Sequence, residues 1–291
     1  MLYSVIIPVH NEKEFIRKMV KSLLIQTIKP IEIVIIDDNS TDGTNLIIRE
    51  LVKHNKLIKS YKHSSSDSHR PGAKVVNAFL FGLEKLKEKY EVIAKLDSDI
   101  LLPKNYFQAL SKIFKRPDVG IVGGFLYKKN NKGESVIDHP MDVNHVRGAI
   151  KSYSKLCYEK IGGLRASMGW DSVDEILACY HGFKTITLKE LKVIHLRPTA
   201  SLYSDSLSRL QGEAFYKMRY GLFISVLASL KILFIKKNLF IFLGVFSGVI
   251  VAYFKKPKYI VSKKEGEYIR KYRINKVLNG FYKKGTVTKI I

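Results

Sequence analysis

Short apolar runs that each end in a cluster of carboxylates and amides restrict the fold of this chain more than any other feature. Tyr3-Ser-Val-Ile-Ile-Pro-Val9 leads into Pro8-Val-His-Asn-Glu12, Ile31-Glu-Ile-Val-Ile-Ile36 into Asp37-Asp-Asn-Ser40, and Glu91 to Leu96 into Asp97-Ser-Asp99. Runs this short, apolar and β-branched read as strands buried on both faces. Between them the period changes to that of a helix. Glu14 to Thr27 places Phe15, Met19 and Leu23 on one face, Thr44 to Lys53 follows Thr41 or Asp42 as cap, and Ala73 to Leu86 forms a third helix, with a faint strand at Leu57 to Lys62. Such alternation predicts an α/β domain with a mostly parallel central sheet. Ligands bind such sheets beyond the carboxyl ends of the strands, where all three polar clusters fall. Turns favour Asp, Asn, Ser and Pro for their own reasons, so one cluster alone is ambiguous; three on one rim point to a site.

Beyond Pro103 the pattern is mixed. A strand is expected at Val119 to Tyr127, a helix at Ala149 to Ile161 before Gly162-Gly163, a helix at Ser172 to His181 before Gly182, and short strands at Thr185 to Leu188 and Val193 to Leu196. No repeat or linker interrupts the chain, so residues 1–205 read as one domain and 206–291 as a helical appendage. The two cysteines, Cys157 and Cys179, exclude a disulfide scaffold, and no Cys/His cluster suggests structural zinc. A reducing compartment fits, and the first residues carry no basic-apolar leader pattern.

Asp97 and Asp99, two residues apart at a strand end, can face one divalent cation. Mg²⁺ and Mn²⁺ favour such oxygen ligands and share them with substrate phosphates. At this point the chain resembles a known family. Pro8-Val-His-Asn-Glu12, Asp37-Asp-Asn-Ser-Thr-Asp-Gly43, Gly72-Ala-Lys-Val-Val-Asn77, Leu96-Asp-Ser-Asp99, Gly162-Gly163 and Gly169-Trp-Asp171 occur in the order found in family 2 glycosyltransferases, enzymes with the nucleotide-sugar-binding GT-A fold. Each motif is loose, but the ordered set is specific, and it spans roughly residues 1–200.

The resemblance implies a role for each position. Pro8, Val9, Asn11 and Glu12 would line the nucleotide pocket, with His10 where the family often has Tyr. Asp38 would bond the base or ribose, and Asp37 would support its loop. Gly72 would allow close approach of backbone to ligand, with Lys74 and Asn77 beside the nucleotide or sugar. Asp97 would contact sugar or ribose, and Asp99 would hold Mg²⁺ or Mn²⁺, with His195 near the metal or diphosphate. The donor implied is a nucleoside-diphosphate sugar, a UDP-sugar first. Asp171 stands 11 residues before Gly182, about the family spacing, and would act as general base on the acceptor hydroxyl. Trp170 takes the place of the usual Glu and would stack on a sugar. Asp174 and Glu175 are rivals for the base, more simply read as solvated first-turn carboxylates. Arg197, and less directly Arg147, could neutralise phosphate. The family reaction inverts the anomeric centre by direct displacement. Gln211 is followed by Gly-Glu-Ala rather than the Gln-x-x-Arg-Trp of processive synthases, which favours single-sugar transfer.

Charge adds a second theme. The net charge is +24, of which +14 falls in residues 201–291, the segment with the most apolar runs. Asn238 to Phe254 is uncharged over 17 residues, and lysines flank it on both sides. A span needs about 20 apolar residues, so three readings stand open: an embedded hairpin, interfacial helices, or buried helices of a dimer. Two of the three place the enzyme on the cytoplasmic face of a membrane, on a lipid-linked or surface glycan acceptor. The basic, aromatic tail from Lys263 reads as a surface-lying helix. The charge also admits a non-catalytic polyanion or nucleic-acid binder, although no nucleic-acid motif is present. A nucleotidyltransferase would want a Gly-rich basic loop where this chain has Pro-Val-His-Asn-Glu. Residues Lys128 to His145, the expected acceptor loops, carry no readable code.

Overall fold

The structure is a computed structural model that describes residues 1–65, 72–130, 132–138, 144–197 and 205–285. Parts of the expected acceptor loops (131 and 139–143) and the end of the tail (286–291) lie outside the described residues. Two compact units are present: Met1–Ala166 with Trp170–Ala200, and Ser167–Gly169 with Ser201–Ile291.

The first unit opens with β1 (Tyr3–Val9), α1 (Ile16–Leu24), β2 (Glu32–Asp38), α2 (Thr44–His54), β3 (Ile58–His63), α3 (Ala73–Glu84) and β4 (Val92–Leu96). These four strands are parallel, in the order β3-β2-β1-β4. Every residue of β1, β2 and β4 is buried, as expected for strands covered on both faces. The apolar stripe of α1, Ile16, Met19, Val20 and Leu23, is buried. Helix α3 lies so close to the sheet that a Cβ on Gly82 would stand 2.6 Å from Ile6 Cγ2. The cap of α2 is Gly43, without a side-chain bond; Asp42 acts from one position earlier, its Oδ1 accepting from the Thr44 amide at 2.9 Å.

Beyond β4 the expectations need correction. β5 (Ile100–Leu101), α4 (Tyr106–Phe114), β6 (Val119–Lys129), β7 (Ser135–Ile137), β8 (Ile150–Ser154), α5 (Lys155–Lys160), α6 (Trp170–Tyr180) and β9 (Lys184–His195) complete the unit. The strands continue the sheet as β4-β8-β6-β9-β5, with β7 on β6. β4–β8, β6–β8, β6–β7 and β5–β9 are antiparallel, so the sheet is mixed rather than mostly parallel. The helix expected from Ala149 splits in two. Ile150 to Tyr153 is a strand buried between β4 and β6, and Ser154 Oγ then accepts from the Cys157 amide at 3.3 Å to cap α5. The two short strands expected near residue 190 are one strand, β9, interrupted by a bulge: Leu188 pairs with Gly124, but Lys192 with Phe125. The bulge presses Leu191 O onto Gly124, where a Cβ would come within 2.4 Å. Helix α4 was not expected; it buries Tyr106, Phe107, Leu110 and Phe114.

The second unit is helical among its described residues: α7 (Asp205–Lys217), α8 (Gly221–Lys236), α9 (Leu239–Lys255) and α10 (Lys263–Gly285). Gly212 of α7 meets α9 so closely that a Cβ would stand 2.0 Å from Val245 O. Arg219 lies 3.6 Å from the ring centroid of Tyr259 and donates Nε–H to Val261 O at 3.0 Å. Among the described residues no helix is long and apolar enough to cross a membrane.

Candidate active site

The polar clusters meet because their strands are neighbours. Pairing of β1 with β4 stops at Ile6 opposite Lys95, so Pro8, which has no N–H to offer, sits beyond the stretch paired on both sides. Val9 pairs with Asp37 in β2. Asn11 and Asn39, just beyond β1 and β2, both have positive φ, 56° and 59°, a conformation asparagine tolerates better than most residues. Asn11 Oδ1 accepts from the Thr41 amide at 2.8 Å, and the Asn11 amide donates to Ser40 Oγ at 3.0 Å. His10 Nδ1 donates to the Asp38 carbonyl at 2.6 Å. The two loops are therefore stitched together.

Asp38 is buried. Its Oδ1 accepts from the Ser65 amide at 2.9 Å and from His63 Nδ1 at 3.1 Å. Burial pushes the carboxyl up, but the bonds from Ser65 and His63 prevail and hold it below the usual carboxylate range. Asp37 Oδ1 accepts from the Ser40 amide at 3.1 Å and so braces the loop. Gly72 begins α3 with φ 79°, which a side chain would strain. Lys74 and Asn77 lie in the first two turns of α3, half-buried and exposed respectively; among the described residues no hydrogen bond joins them to the rest of the site.

Glu12 anchors the other side. Its Oε2 accepts from Arg197 Nη2 at 2.9 Å, and the guanidinium lies 5.2 Å from the Phe15 ring centroid. Burial first, and then the negative charge of nearby Asp99, push the Glu12 carboxyl up to about 7 against the pull of Arg197. Asp99 itself is brought beside His195 by β5, which pairs Ile100 with His195, and by the Leu196 amide donating to Asp99 O at 2.7 Å. His195 Nε2 lies 3.3 Å from Asp99 Oδ2, and its Nδ1 is 2.9 Å from Asp138 Oδ2. Asp138 follows β7, whose pairing with β6 delivers it there. Burial lowers the imidazole pKa, but the two carboxylates prevail and hold it at about 9.

For a divalent cation, Asp99 and His195 make a two-donor set once the ring gives up its proton to the entering cation's charge, one carboxylate and one neutral imidazole. Among the described residues no group of three or more His, Cys, Asp or Glu is placed to hold a metal ion. The pair fits a cation that completes its coordination with diphosphate oxygens and water, and Mn²⁺ accepts imidazole more readily than Mg²⁺ does. Asp138 on Nδ1 would then orient the ring.

Asp171 joins the site through two lysines that no sequence motif singles out. Lys95, 3% exposed, ion-pairs with Asp97 Oδ1, donates to Gly148 O at 3.0 Å and lies 5.3 Å from the Trp170 ring centroid. Gly148 packs against Trp170 and Asp171; a Cβ there would stand 2.9 Å from the indole and 3.4 Å from Asp171 Cβ. Lys151, fully buried, donates to the Asp171 carbonyl and to Asp174 at 2.7 and 2.8 Å, and lies 3.0 Å from Glu175. Two expectations fall. Trp170 is 6% exposed, between lysines, and has no free face for a sugar. Asp174 and Glu175 are not solvated: Asp174 is buried on Lys151 and Tyr153, and Glu175 accepts from His145 Nδ1 and the Val146 amide, both at 2.8 Å. Asp171 is left half-exposed at the start of α6, and Arg147 is likewise half-buried nearby in sequence.

The missed residues left a trace. Lys95 interrupts the buried run Val-Ile-Ala-Lys-Leu, and a charge in such a run demands a partner. Lys151 was hidden by the helical reading of its segment, and Asp138 by a loop without pattern.

The family model described as Glycosyl transferase family 2 matches residues 4–164. The chain belongs to this family. Over 145 residues it is 26% identical to the glycosyltransferase EpsJ of Bacillus subtilis, a match covering 50% of this chain and 40% of EpsJ; the chain thus spans well under two thirds of that relative. Among solved structures it resembles S. aureus TarS 1-349 in complex with UDP-GlcNAc (TM-score 0.54, 19% identity, covering 74% of this chain and 67% of that one). It also resembles the mannosyltransferase PcManGT of Pyrobaculum calidifontis in complex with GDP-Man and Mn²⁺ (TM-score 0.55, 17% identity, 72% and 61%). At these identities the likeness establishes the fold, an α/β GT-A-like domain with a mixed sheet. Membership of this family favours sugar transfer over the polyanion-binding and nucleotidyltransferase readings.

Proposed function

We propose that the first unit moves a single sugar from a nucleoside-diphosphate sugar, a UDP-sugar first, to an acceptor hydroxyl with inversion at the anomeric carbon. The observation that carries this reading is the convergence of carboxylates: Asp97 reaches Asp171 through Lys95 and Gly148, and Glu12 feels the charges of Asp99 and Asp97. The loops of Pro8 to Glu12 and Asp37 to Ser40 form the nucleotide side, with Asp38 toward the base or ribose. Asp97 serves the sugar or ribose. Asp171 accepts the proton of the acceptor hydroxyl as its oxygen bonds to the anomeric carbon and the bond from that carbon to the diphosphate oxygen breaks. Its backbone is held by Lys151, so the carboxylate stays positioned while half-exposed. Arg197, paired with Glu12, lies where it can meet phosphate. Asp99 and His195 would hold the divalent cation. When bound, the cation supplies charge neutralisation to the departing nucleoside diphosphate.

Solved relatives of this fold bind UDP-GlcNAc in one case and GDP-Man with Mn²⁺ in another, which supports a nucleotide-sugar donor and a divalent metal here. The basic, apolar second unit supports a lipid-linked or surface glycan acceptor and a place on the cytoplasmic face of a membrane. The test is a panel of nucleotide sugars with Mn²⁺ or Mg²⁺, scored for transfer on wild type, Asp99→Ala and Asp171→Asn. Loss of the base is expected to cost about 10²–10⁴ in rate with donor binding retained. Full transfer by either purified variant would refute the assignment.

A further inference from the structure

The two most apolar helices of the second unit keep much of their hydrophobic surface outside. Helix α9 buries Val245, Gly248, Val249 and Ala252, the side on which a Cβ at Gly248 would stand 2.1 Å from Arg209 O of α7. On the other side Phe240 (76%), Leu243, Val251 and Phe254 (82%) are exposed. Steps of three, eight and three residues return to the same stripe, from the first turn of the helix to the last. Helix α8 leaves Phe223 and Phe234 exposed as well. Neither helix contains an Asp or Glu, whereas Lys231, Lys237, Lys255, Lys256 and Lys258 lie along and around them.

We propose that α9 lies in the plane of an anionic lipid surface, its Phe240 to Phe254 stripe among the acyl chains and the surrounding lysines on the phosphates. The inference rests on the membrane partner proposed above and names how it is engaged. Because the stripe runs the full length of the helix, α9 presents a face rather than a tip. Its 17 residues rise about 26 Å at 1.5 Å per residue, short of a hydrocarbon core of about 30 Å. The opposite face is packed on α7, a helix with Arg209, Glu213 and Lys217, which could not follow α9 into hydrocarbon at small cost. A second copy of this chain is a worse occupant, since it would bring two lysine rims together with no carboxylate on α8 or α9 to pair them.

The chain of 291 residues is floated with vesicles of phosphatidylcholine, with or without phosphatidylglycerol. Binding is expected only with the anionic lipid, weakened by salt, and reduced at least tenfold in Phe240→Ser/Phe254→Ser, as loss of two buried aromatic side chains implies. Equal flotation of that variant would overturn the proposal. In a Cys179→Ser background, Phe240→Cys and Phe254→Cys carry a fluorophore quenched by lipids labelled at known depths. Both ends are expected at one shallow depth. One deep and one shallow end would show insertion by a tip, and quenching by neither, with dimers in solution, would show a second copy on the stripe; either result overturns the proposal. Wild type that floats but transfers no sugar would sink the transferase mechanism alone. Wild type that transfers sugar to a soluble acceptor but does not float would sink this inference alone.

Discussion

Lys151→Met should be among the most damaging single substitutions that leave every strand residue apolar or unchanged in size. The ammonium is fully buried and serves three partners: Asp174 at 2.7 Å, Glu175 at 3.0 Å and the Asp171 carbonyl. Burial opposes its charge, but Asp174, Glu175 and Asp171 prevail and raise its pKa above the usual lysine value. Methionine fills similar space but leaves two carboxylates side by side without their shared ammonium, Glu175 keeping His145. Breaking a buried pair in this way costs about 3–5 kcal/mol, which in a unit of this size lowers Tm by roughly 6–20 °C. Trp170 is the chain's one tryptophan and lies 5.8 Å from Lys151 Nζ, so its emission during urea unfolding reports on this site directly. Asp174→Asn in the same background removes one of the stranded charges, so the double variant should be no less stable than Lys151→Met, with a coupling of about 2 kcal/mol or more. The penalty should also shrink toward pH 5, because burial, the largest influence on Asp174, already lifts its carboxyl to about 6 and a stranded carboxyl gains a proton more easily still. A cost under about 1 kcal/mol, or additive single effects, would refute the idea that Lys151 neutralises this pair.

Other outcomes test other parts of the structure. Gly124→Ala should cost about 3 kcal/mol in thermal or urea unfolding, since the new methyl meets backbone oxygen of Leu191 at 2.4 Å and not a side chain that can turn away; an unchanged Tm would contradict the bulge. Cys157 is buried and its thiol is pushed up to about 12, chiefly by burial and then by Asp174, whereas Cys179 is exposed. A thiol reagent at pH 8 should therefore modify Cys179 alone in the native protein and both residues in denaturant. Glu12 has a folded pKa of about 7 against 4.5 for an ordinary glutamate carboxyl, so the folded state retains a proton that the unfolded state releases. Wild-type stability should fall as pH rises from about 4.5 through about 7, and Glu12→Gln should lose that dependence; a Tm difference between the two that stays flat across this window would show that Glu12 is not held protonated.

From β1 to β4 the fold was legible to within three residues at each element's ends. Buried parallel strands announce themselves as unbroken β-branched runs, and the helices between them carry a clear apolar stripe, as with Ile16, Met19, Val20 and Leu23. The segment around Ile150 misled because Ile-Lys-Ser-Tyr-Ser154 carries a lysine and two serines, yet is buried from Ile150 to Tyr153. Nothing local reveals that the lysine will find Asp174 and Glu175 more than twenty residues later. Residues 184–195 read as two strands because the bulge at Lys189–Leu191 breaks the alternation, although pairing with β6 continues on both sides of it.

Local chemistry alone determined where the strands end and which side chains wait at their tips: Asn11, Glu12, Asp38, Asp97 and Asp99 are all visible in one dimension, because a strand end needs a turn and a turn shows its residues. Tertiary structure alone decided which of them carry a partner and which stay half-open. Asp138 reaches His195 through β7, Lys95 joins Asp97 to Gly148 across a gap of 53 residues, and Trp170 turns inward between two ammonium groups. A buried charge is tolerable only when its counter-charge arrives from elsewhere in the chain, and where that counter-charge comes from is a property of strand order, which no single segment of the sequence contains.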